Sequence, residues 1–237
     1  MTITGEQKFT SFPKHIAIIM DGNRRWAKQH NLSVLEGHRA GAERLRKVIE
    51  LLGEYRLPYL TVYSFSTENW SRSKTEVQGL FMLVEEILQN KLEELHRNGI
   101  KLRHLGRLSE LPGSVQKVIK HASDLTQNNR NLTLNFAFNY GGRTEIVDAV
   151  RGLVADGMAA AQIDETAVGK YLYTKDTPDV DLVIRTGGET RLSNYLIWQT
   201  IYSEIYFTDV LWPDFNSVEI DKALSFYSTK QRRFGGG

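Results

Sequence analysis

The run Ile16-Ala17-Ile18-Ile19-Met20 stops at Asp21-Gly22-Asn23 and turns basic at Arg24-Arg25. A short apolar run with β-branched residues, closed by a Gly-Asn break, reads as a buried strand over 15–20. An acid at the exit of such a strand, followed by Gly, Asn and two Arg, is how an α/β protein holds a charged ligand. This one stretch therefore limits both the fold and the class of ligand.

The pattern recurs. Tyr59–Phe65 reads as a second strand that runs into Ser66-Thr67-Glu68-Asn69-Trp70-Ser71-Arg72, and further strands are expected at 100–105, 132–138, 180–184 and near 205–207. The strand at 132 ends in Asn139-Tyr140-Gly141-Gly142-Arg143, and the strand at 180 ends in Arg185-Thr186-Gly187-Gly188-Glu189. Between them helical spacing covers 39–55, 75–97, 113–127, 143–155, 163–173 and 217–230, with a polar loop at 28–36. Strands alternating with helices give βαβ units, hence an α/β fold with a mainly parallel central sheet surrounded by helices. We read one domain, 15–237, preceded by a loose polar arm at 1–14. Loops that follow parallel strands gather at one edge of the sheet, so that edge is the expected site.

The helix at 75–97 carries one turn that is apolar on every side, Leu80-Phe81-Met82-Leu83-Val84. A surface helix has no use for such a turn; two protein layers enclose it, or one side lines an apolar cavity. Thr75-x-x-Gln78 or Ser73-x-x-Glu76 would cap this helix.

Composition narrows the chemistry. The chain has no cysteine, which excludes disulfides, thiolate metal sites and a Cys nucleophile. A net charge of +2 is too mild to argue for nucleic acid. No run reaches the ~18 apolar residues of a spanning helix, and the first residues lack a basic start with an apolar core. The expectation is a soluble cytoplasmic protein without a nucleic-acid partner.

Several Arg with Gly-rich turns and Ser/Asn donors suit phosphate or diphosphate, because the guanidinium fork matches phosphate oxygens. One or two carboxylates among them suit Mg²⁺ that keeps most of its waters and touches the phosphates. A surface loop is the plainer reading for any single Arg.

The motifs MDGNRRWA (20–27), GHRAG (37–41), YSFSTENWSRS (63–73), LNFAFNYGGR (134–143), DLVIRTGGETRLSNYLIWQ (181–199) and YSEIYF (202–207) together resemble the cis-prenyltransferases. The resemblance runs from about residue 13 to the C-terminus, in family order and spacing. It implies a transferase that condenses isopentenyl diphosphate units onto an allylic diphosphate, farnesyl diphosphate above all, to give an undecaprenyl-type polyprenyl diphosphate. It further implies a homodimer, a hydrophobic tunnel, Mg²⁺, and peripheral membrane contact for product release.

By the same resemblance Asp21 holds Mg²⁺ at the diphosphates, with Glu204 as second carboxylate. Gly22, Asn23, Arg24 and Arg25 form the phosphate loop, with Trp26 and His38 beside it. Asn69, flanked by Ser66, Thr67 and Glu68, assists proton loss, and Trp70 and Arg72 complete its loop. Arg185, Arg191, Leu192 and Ser193 belong to the isopentenyl diphosphate site, and Arg233-x-Gly235 matches a terminal motif that reaches into the partner's site. A neutral amide is a poor base, so Asn69 is expected to orient substrate or relay a proton. The helix at 75–97, Ser64 and Leu132 are expected to line the tunnel. One departure stands out: the position four before His38, an allylic-diphosphate Arg in many members, is Val34, which shifts that grip to Arg24 or Arg39.

Three other readings compete. A phosphotransferase with Asp21 as nucleophile would carry a second acid at position 23, where this chain has Asn. A non-catalytic partner subunit would lose motif residues that this chain keeps. A short-chain or irregular-coupling relative is the runner-up, since tunnel shape decides the product.

Overall fold

The computed structural model describes residues 8–230. Six strands, β1 (His15–Ile19), β2 (Tyr59–Ser66), β3 (Ile100–Leu105), β4 (Leu132–Tyr140), β5 (Leu182–Arg185) and β6 (Glu204–Phe207), form one sheet in the order β3-β4-β2-β1-β5-β6. Every pairing is parallel. The helices are α1 (Asn23–Gln29), α2 (Val34–Glu54), α3 (Lys74–Arg97), α4 (Gly113–Thr126), α5 (Gly142–Ala155), α6 (Glu165–Tyr171) and α7 (Ser217–Ser228).

All five residues of β1 are buried. That is why its sequence is a continuous apolar run and not an alternation: a parallel strand in mid-sheet is covered on both faces. On one face Ile16 and Ile18 join the larger core, built with Val48, Ile49 and Leu52 of α2 and Val115 and Ile119 of α4. On the other, Ala17 and Ile19 meet Leu105, Ala137, Tyr140, Val183 and Tyr195.

Two boundaries differ from the sequence expectation, each for a local reason. Residues 23–29, for which spacing offers no helix and of which 28 and 29 fall in the expected polar loop, form the helix α1, entered through Gly22 at φ 115°, a backbone conformation that glycine adopts without a Cβ penalty. Helix α2 starts at Val34 and not at Arg39, because Ser33 and Glu36 make a capping box: Glu36 N donates to Ser33 Oγ at 3.3 Å and Ser33 N donates to Glu36 Oε2 at 2.7 Å. The arm is also better anchored than a loose polar segment, in its described part. Phe9 and Phe12 pack edge-on against Tyr55, and Lys8 bonds Asp221 at 2.7 Å.

In α3 the apolar turn divides its work. Leu80, Phe81 and Leu83 are buried, while Met82 is 69% exposed. The helix is therefore not enclosed on every side.

The registers fix the functional edge. Ile19 lies level with Tyr63 of β2 and Arg185 of β5, and Ser66 lies level with Tyr140 of β4. The loops after β1, β2, β4 and β5 thus leave the sheet side by side.

Candidate active site

The site is organised by two adjacent arginines on the first turn of α1 that point to different neighbours. Arg25 Nη1 donates to Gly187 O at 2.6 Å and Nη2 to Asp21 Oδ1 at 3.2 Å. Arg24 lies on the other side, its Nε 4.0 Å from Glu76 Oε1. Two charged clusters result.

The first is centred on Asp21. Its Oδ2 accepts from Arg185 Nη2 at 2.9 Å, and Arg185 Nη1 donates to Ser193 Oγ at 2.8 Å and to Arg191 O. The Arg185 guanidinium is nearly buried and the Asp21 carboxylate partly exposed, so the pair presents its acid to solvent. Thr186 Oγ1 donates to Asp21 O at 2.7 Å, which pins the loop backbone. Gly187, at φ 84°, leaves room for Arg25: a Cβ there would sit 2.5 Å from Arg25 Nη2. The segment 193–196 is held by Asn194, whose Nδ2 donates to Glu68 Oε1 at 2.8 Å and whose Oδ1 accepts from Arg143 N at 2.9 Å. Arg191 reaches solvent and pairs with Glu189, and Leu192 packs against the smaller core.

The second cluster surrounds Glu76. Arg72 Nη1 donates to its Oε1 at 3.0 Å, and His38 Nε2 lies 3.5 Å from the same oxygen. That nitrogen is buried and has no hydrogen-bond partner, so the His38–Glu76 contact is electrostatic only. Burial first, and the Arg72 charge second, hold the His38 ring below its ordinary pKa. Sequence reasoning read Glu76 as a helix-capping acid. It is one, since Glu76 N donates to Ser73 Oγ at 3.2 Å, but its carboxylate also gathers three basic groups. Spacing alone could offer only Arg72, four residues before Glu76; Arg24 and His38 come from α1 and α2 and no spacing reveals them.

Asn69 Oδ1 accepts from Ser66 N at 3.1 Å. A backbone N–H can only meet the amide oxygen, so Nδ2 is the atom left to face a ligand. Thr67 Oγ1 donates to Glu68 Oε2 at 3.2 Å, and Trp70 Nε1 donates to Asn139 Oδ1 at 2.8 Å, locking this loop to the end of β4. Trp26 stacks on His30 and donates to Asp214 Oδ1 at 2.9 Å.

Beside the second cluster opens a cavity of about 1180 Å³ between α2, α3 and the sheet. Asn23, His38 and Ser64 line its near end, and Leu45, Leu83, Val84 and Leu132 are among its apolar walls. The Ser64 hydroxyl is buried there without a partner, like His38 Nε2. Unsatisfied polar atoms on His38, Ser64 and Asn23 beside an apolar space call for polar partners from outside the chain.

Two expectations need correction. Arg39 does not join the Glu76 cluster: it stands on the cavity wall, where its guanidinium makes a two-pronged pair with Glu86 across α2 and α3. Of the two arginines able to stand in for Val34, Arg24 alone lies at the cluster. Glu204 also lies away from Asp21. It pairs with Leu182, which pairs with Ile16, so it starts β6 at the opposite edge. That is about 10 Å along the strands and about 10 Å across the sheet from Ile19. One protomer cannot share an ion between these two carboxylates, and among the described residues no group of three His, Cys, Asp or Glu is set to hold a metal. The Arg233-x-Gly235 motif lies outside the described residues.

The family model described as "Putative undecaprenyl diphosphate synthase" matches residues 19–235. The chain belongs to this family of prenyltransferases. The isoprenyl transferase of Heliobacterium mobile is 51% identical, with 94% of this chain and 88% of that one covered. That of Fusobacterium nucleatum is 52% identical, with 95% and 97% covered. Among solved structures, a lavandulyl diphosphate synthase from Lavandula x intermedia in complex with dimethylallyl diphosphate superposes with a TM-score of 0.90 at 37% identity, covering 94% of this chain and 98% of that one. A probable undecaprenyl diphosphate synthase from Campylobacter jejuni gives 0.81 at 32%, covering 95% and 99%. The phosphotransferase reading falls with the family.

Proposed function

We propose that this prenyltransferase adds isopentenyl diphosphate units, with cis double bonds, to farnesyl diphosphate and releases an undecaprenyl-type polyprenyl diphosphate. One observation carries the reading: a cationic seat with unsatisfied polar atoms adjoins an apolar cavity of about 1180 Å³. The allylic diphosphate sits at Arg24, His38 and Arg72, with its hydrocarbon in the cavity, which serves as the tunnel. The isopentenyl diphosphate sits at Arg185, Arg191 and Ser193, outside the cavity and next to Asp21. Gly22, Asn23 and Arg25 tie the two seats together.

Asp21 fits a Mg²⁺ site of the single-carboxylate kind. Each of its oxygens keeps a lone pair beyond its arginine bond, and substrate oxygens and water would complete the coordination. Such an ion supplies charge neutralisation at a departing diphosphate. Arg24 and Arg72 offer fixed positive charge where the allylic diphosphate gathers negative charge on leaving. The apolar walls exclude water from the allylic cation. Asn69 Nδ2 orients the isopentenyl group; the proton lost on condensation passes to diphosphate and not to the amide.

The chain works as a homodimer. An exposed stripe, Val147, Val150 and Val154 on α5, with Ile201 and Tyr202, supports this, because a monomer rarely leaves so many large apolar side chains in water. Among the described residues no helix is long and apolar enough to cross a membrane; delivery of the lipid product by peripheral contact, from a cytoplasmic protein, belongs to the same proposal.

A short-chain or irregular-coupling synthase is the second reading, supported by the higher TM-score of the lavandulyl diphosphate synthase. Incubation with Mg²⁺, labelled isopentenyl diphosphate and either farnesyl or dimethylallyl diphosphate decides between them. A ladder of long products from farnesyl diphosphate is expected. A single branched product from dimethylallyl diphosphate would favour the second reading, and no condensation with any primer would refute both.

A further inference from the structure

The cavity does not end in an apolar floor. Beyond Leu95, Ile100 and Leu132 its lining turns basic, with Arg56, Arg97 and Arg130 around the far end. Arg56 precedes β2, Arg97 precedes β3 and Arg130 precedes β4, and those strands are neighbours in the sheet. The three arginines therefore share the edge opposite the diphosphate seats.

Their pairing sets them apart. The other cations of the cavity wall, Arg39, Arg46 and Lys91, are each matched with a glutamate. Among the described residues the exposed side chains of Arg56, Arg97 and Arg130 make no ion pair or hydrogen bond, and Glu54 is the one carboxylate of the lining without an ion pair. The rim beneath them is stiff: Asn131 Nδ2 donates to Asn98 O at 2.9 Å, and Asn129 Nδ2 donates to Ile100 O at 2.8 Å. Three uncompensated guanidinium groups around the far end of a hydrocarbon-sized space match a surface that is anionic outside and apolar within.

We infer that this rim seats the protein on an anionic phospholipid bilayer, so that the far end of the cavity opens onto lipid and not onto water. The inference rests on the proposed function for the identity of the cavity's occupant, but the surface is testable without turnover. Each arginine at an anionic membrane contributes roughly fivefold to binding, and three together on the order of a hundredfold. The attraction weakens with salt.

The test is co-flotation of the full chain with vesicles of equal parts phosphatidylglycerol and phosphatidylcholine, or of phosphatidylcholine alone. The wild type is expected to bind the anionic vesicles only. The triple variant Arg56→Gln, Arg97→Gln, Arg130→Gln is expected to lose about a hundredfold, with its melting temperature unchanged. A control of equal charge, Lys120→Gln, Lys170→Gln, Lys175→Gln, is expected to bind as the wild type does. Equal losses in both variants, undiminished binding in the first, equal binding to neutral vesicles, or capture of a single-stranded oligonucleotide by the same arginines with no vesicle binding would each overturn the inference. Vesicle binding through the rim in a chain that never elongates a primer would leave the surface standing and remove the proposed reaction.

Discussion

Arg185 Nη2 donates to Asp21 Oδ2 over 2.9 Å, and this contact joins the end of β5 to the end of β1 at the centre of the sheet. Arg185 keeps Ser193 Oγ and Arg191 O whether or not Asp21 is present, so the acid depends on the base more than the reverse.

Asp21→Ala should therefore cost activity far more than stability. Loss of one partner of a buried guanidinium whose Nη1 keeps Ser193 and Arg191 costs about 1–3 kcal/mol. Loss of a group that acts on transition-state charge lowers turnover on the order of a hundred- to a thousandfold. Urea unfolding and steady-state turnover measure the two separately. Normal turnover in Asp21→Ala would remove Asp21 from the reaction.

The proposed function puts the grip on the allylic diphosphate at Arg24. Its guanidinium stands beside Glu76, whereas Arg39 is held by Glu86 across α2 and α3. Arg24→Gln is expected to raise the KM for farnesyl diphosphate about tenfold, as one lost charge-assisted bond of ~1.5 kcal/mol would. Arg39→Gln should leave it within about twofold, since an exposed ion pair contributes little. The reverse ranking would show that Arg39 leaves Glu86 when substrate binds.

Gly41 tests how α2 supports the phosphate loop. A Cβ there would lie 2.2 Å from Asn23 Oδ1 and 3.0 Å from Trp212 Cδ1, and Gly41 O accepts from Trp212 Nε1 at 2.8 Å. Gly41→Ala must push α1 off α2 or turn Asn23, at a cost of about 1–3 kcal/mol from overpacking. Melting temperature and the KM for the allylic substrate should both worsen. Unchanged values would mean that the loop tolerates a displaced Asn23.

Much of this was legible in the residues themselves. The run 15–20 had to be a doubly covered strand because it does not alternate, and its polar exit had to meet those of 66–72 and 185–193 because parallel strands end together. What stayed hidden was whatever depended on contacts between distant segments. Glu76 reads as a cap, yet its carboxylate gathers groups from three elements. Glu204 reads as a site acid by its motif, yet strand register puts it at the other edge. Arg39 and Arg24 are alike in sequence, and only the nearness of Glu86 on the next helix separates them. Helix α1 was missed because its residues are mostly polar and its start depends on a glycine at positive φ.

His15 gives the fold a defined acid response. It is fully buried between Pro178 O at 2.7 Å and Thr61 Oγ1 at 2.6 Å, and burial holds its pKa down to about 4. In the unfolded chain the same ring titrates near 6.5. Below that pH the unfolded state takes up a proton that the folded state refuses, so stability is complete above about 6.5 and falls as pH drops toward 4. The loss from His15 is about 3 kcal/mol. Burial also depresses His38 and His104, which act in the same direction. Asp148, held down to about 2 by Arg107, enters only below the ordinary aspartate range and leaves this window clear. Urea midpoints measured from pH 7.5 to 4.5 should decline through this range, and His15→Gln should flatten the decline. A wild-type midpoint constant down to pH 5, or an equal decline in His15→Gln, would show that the buried ring is not the acid-sensitive element.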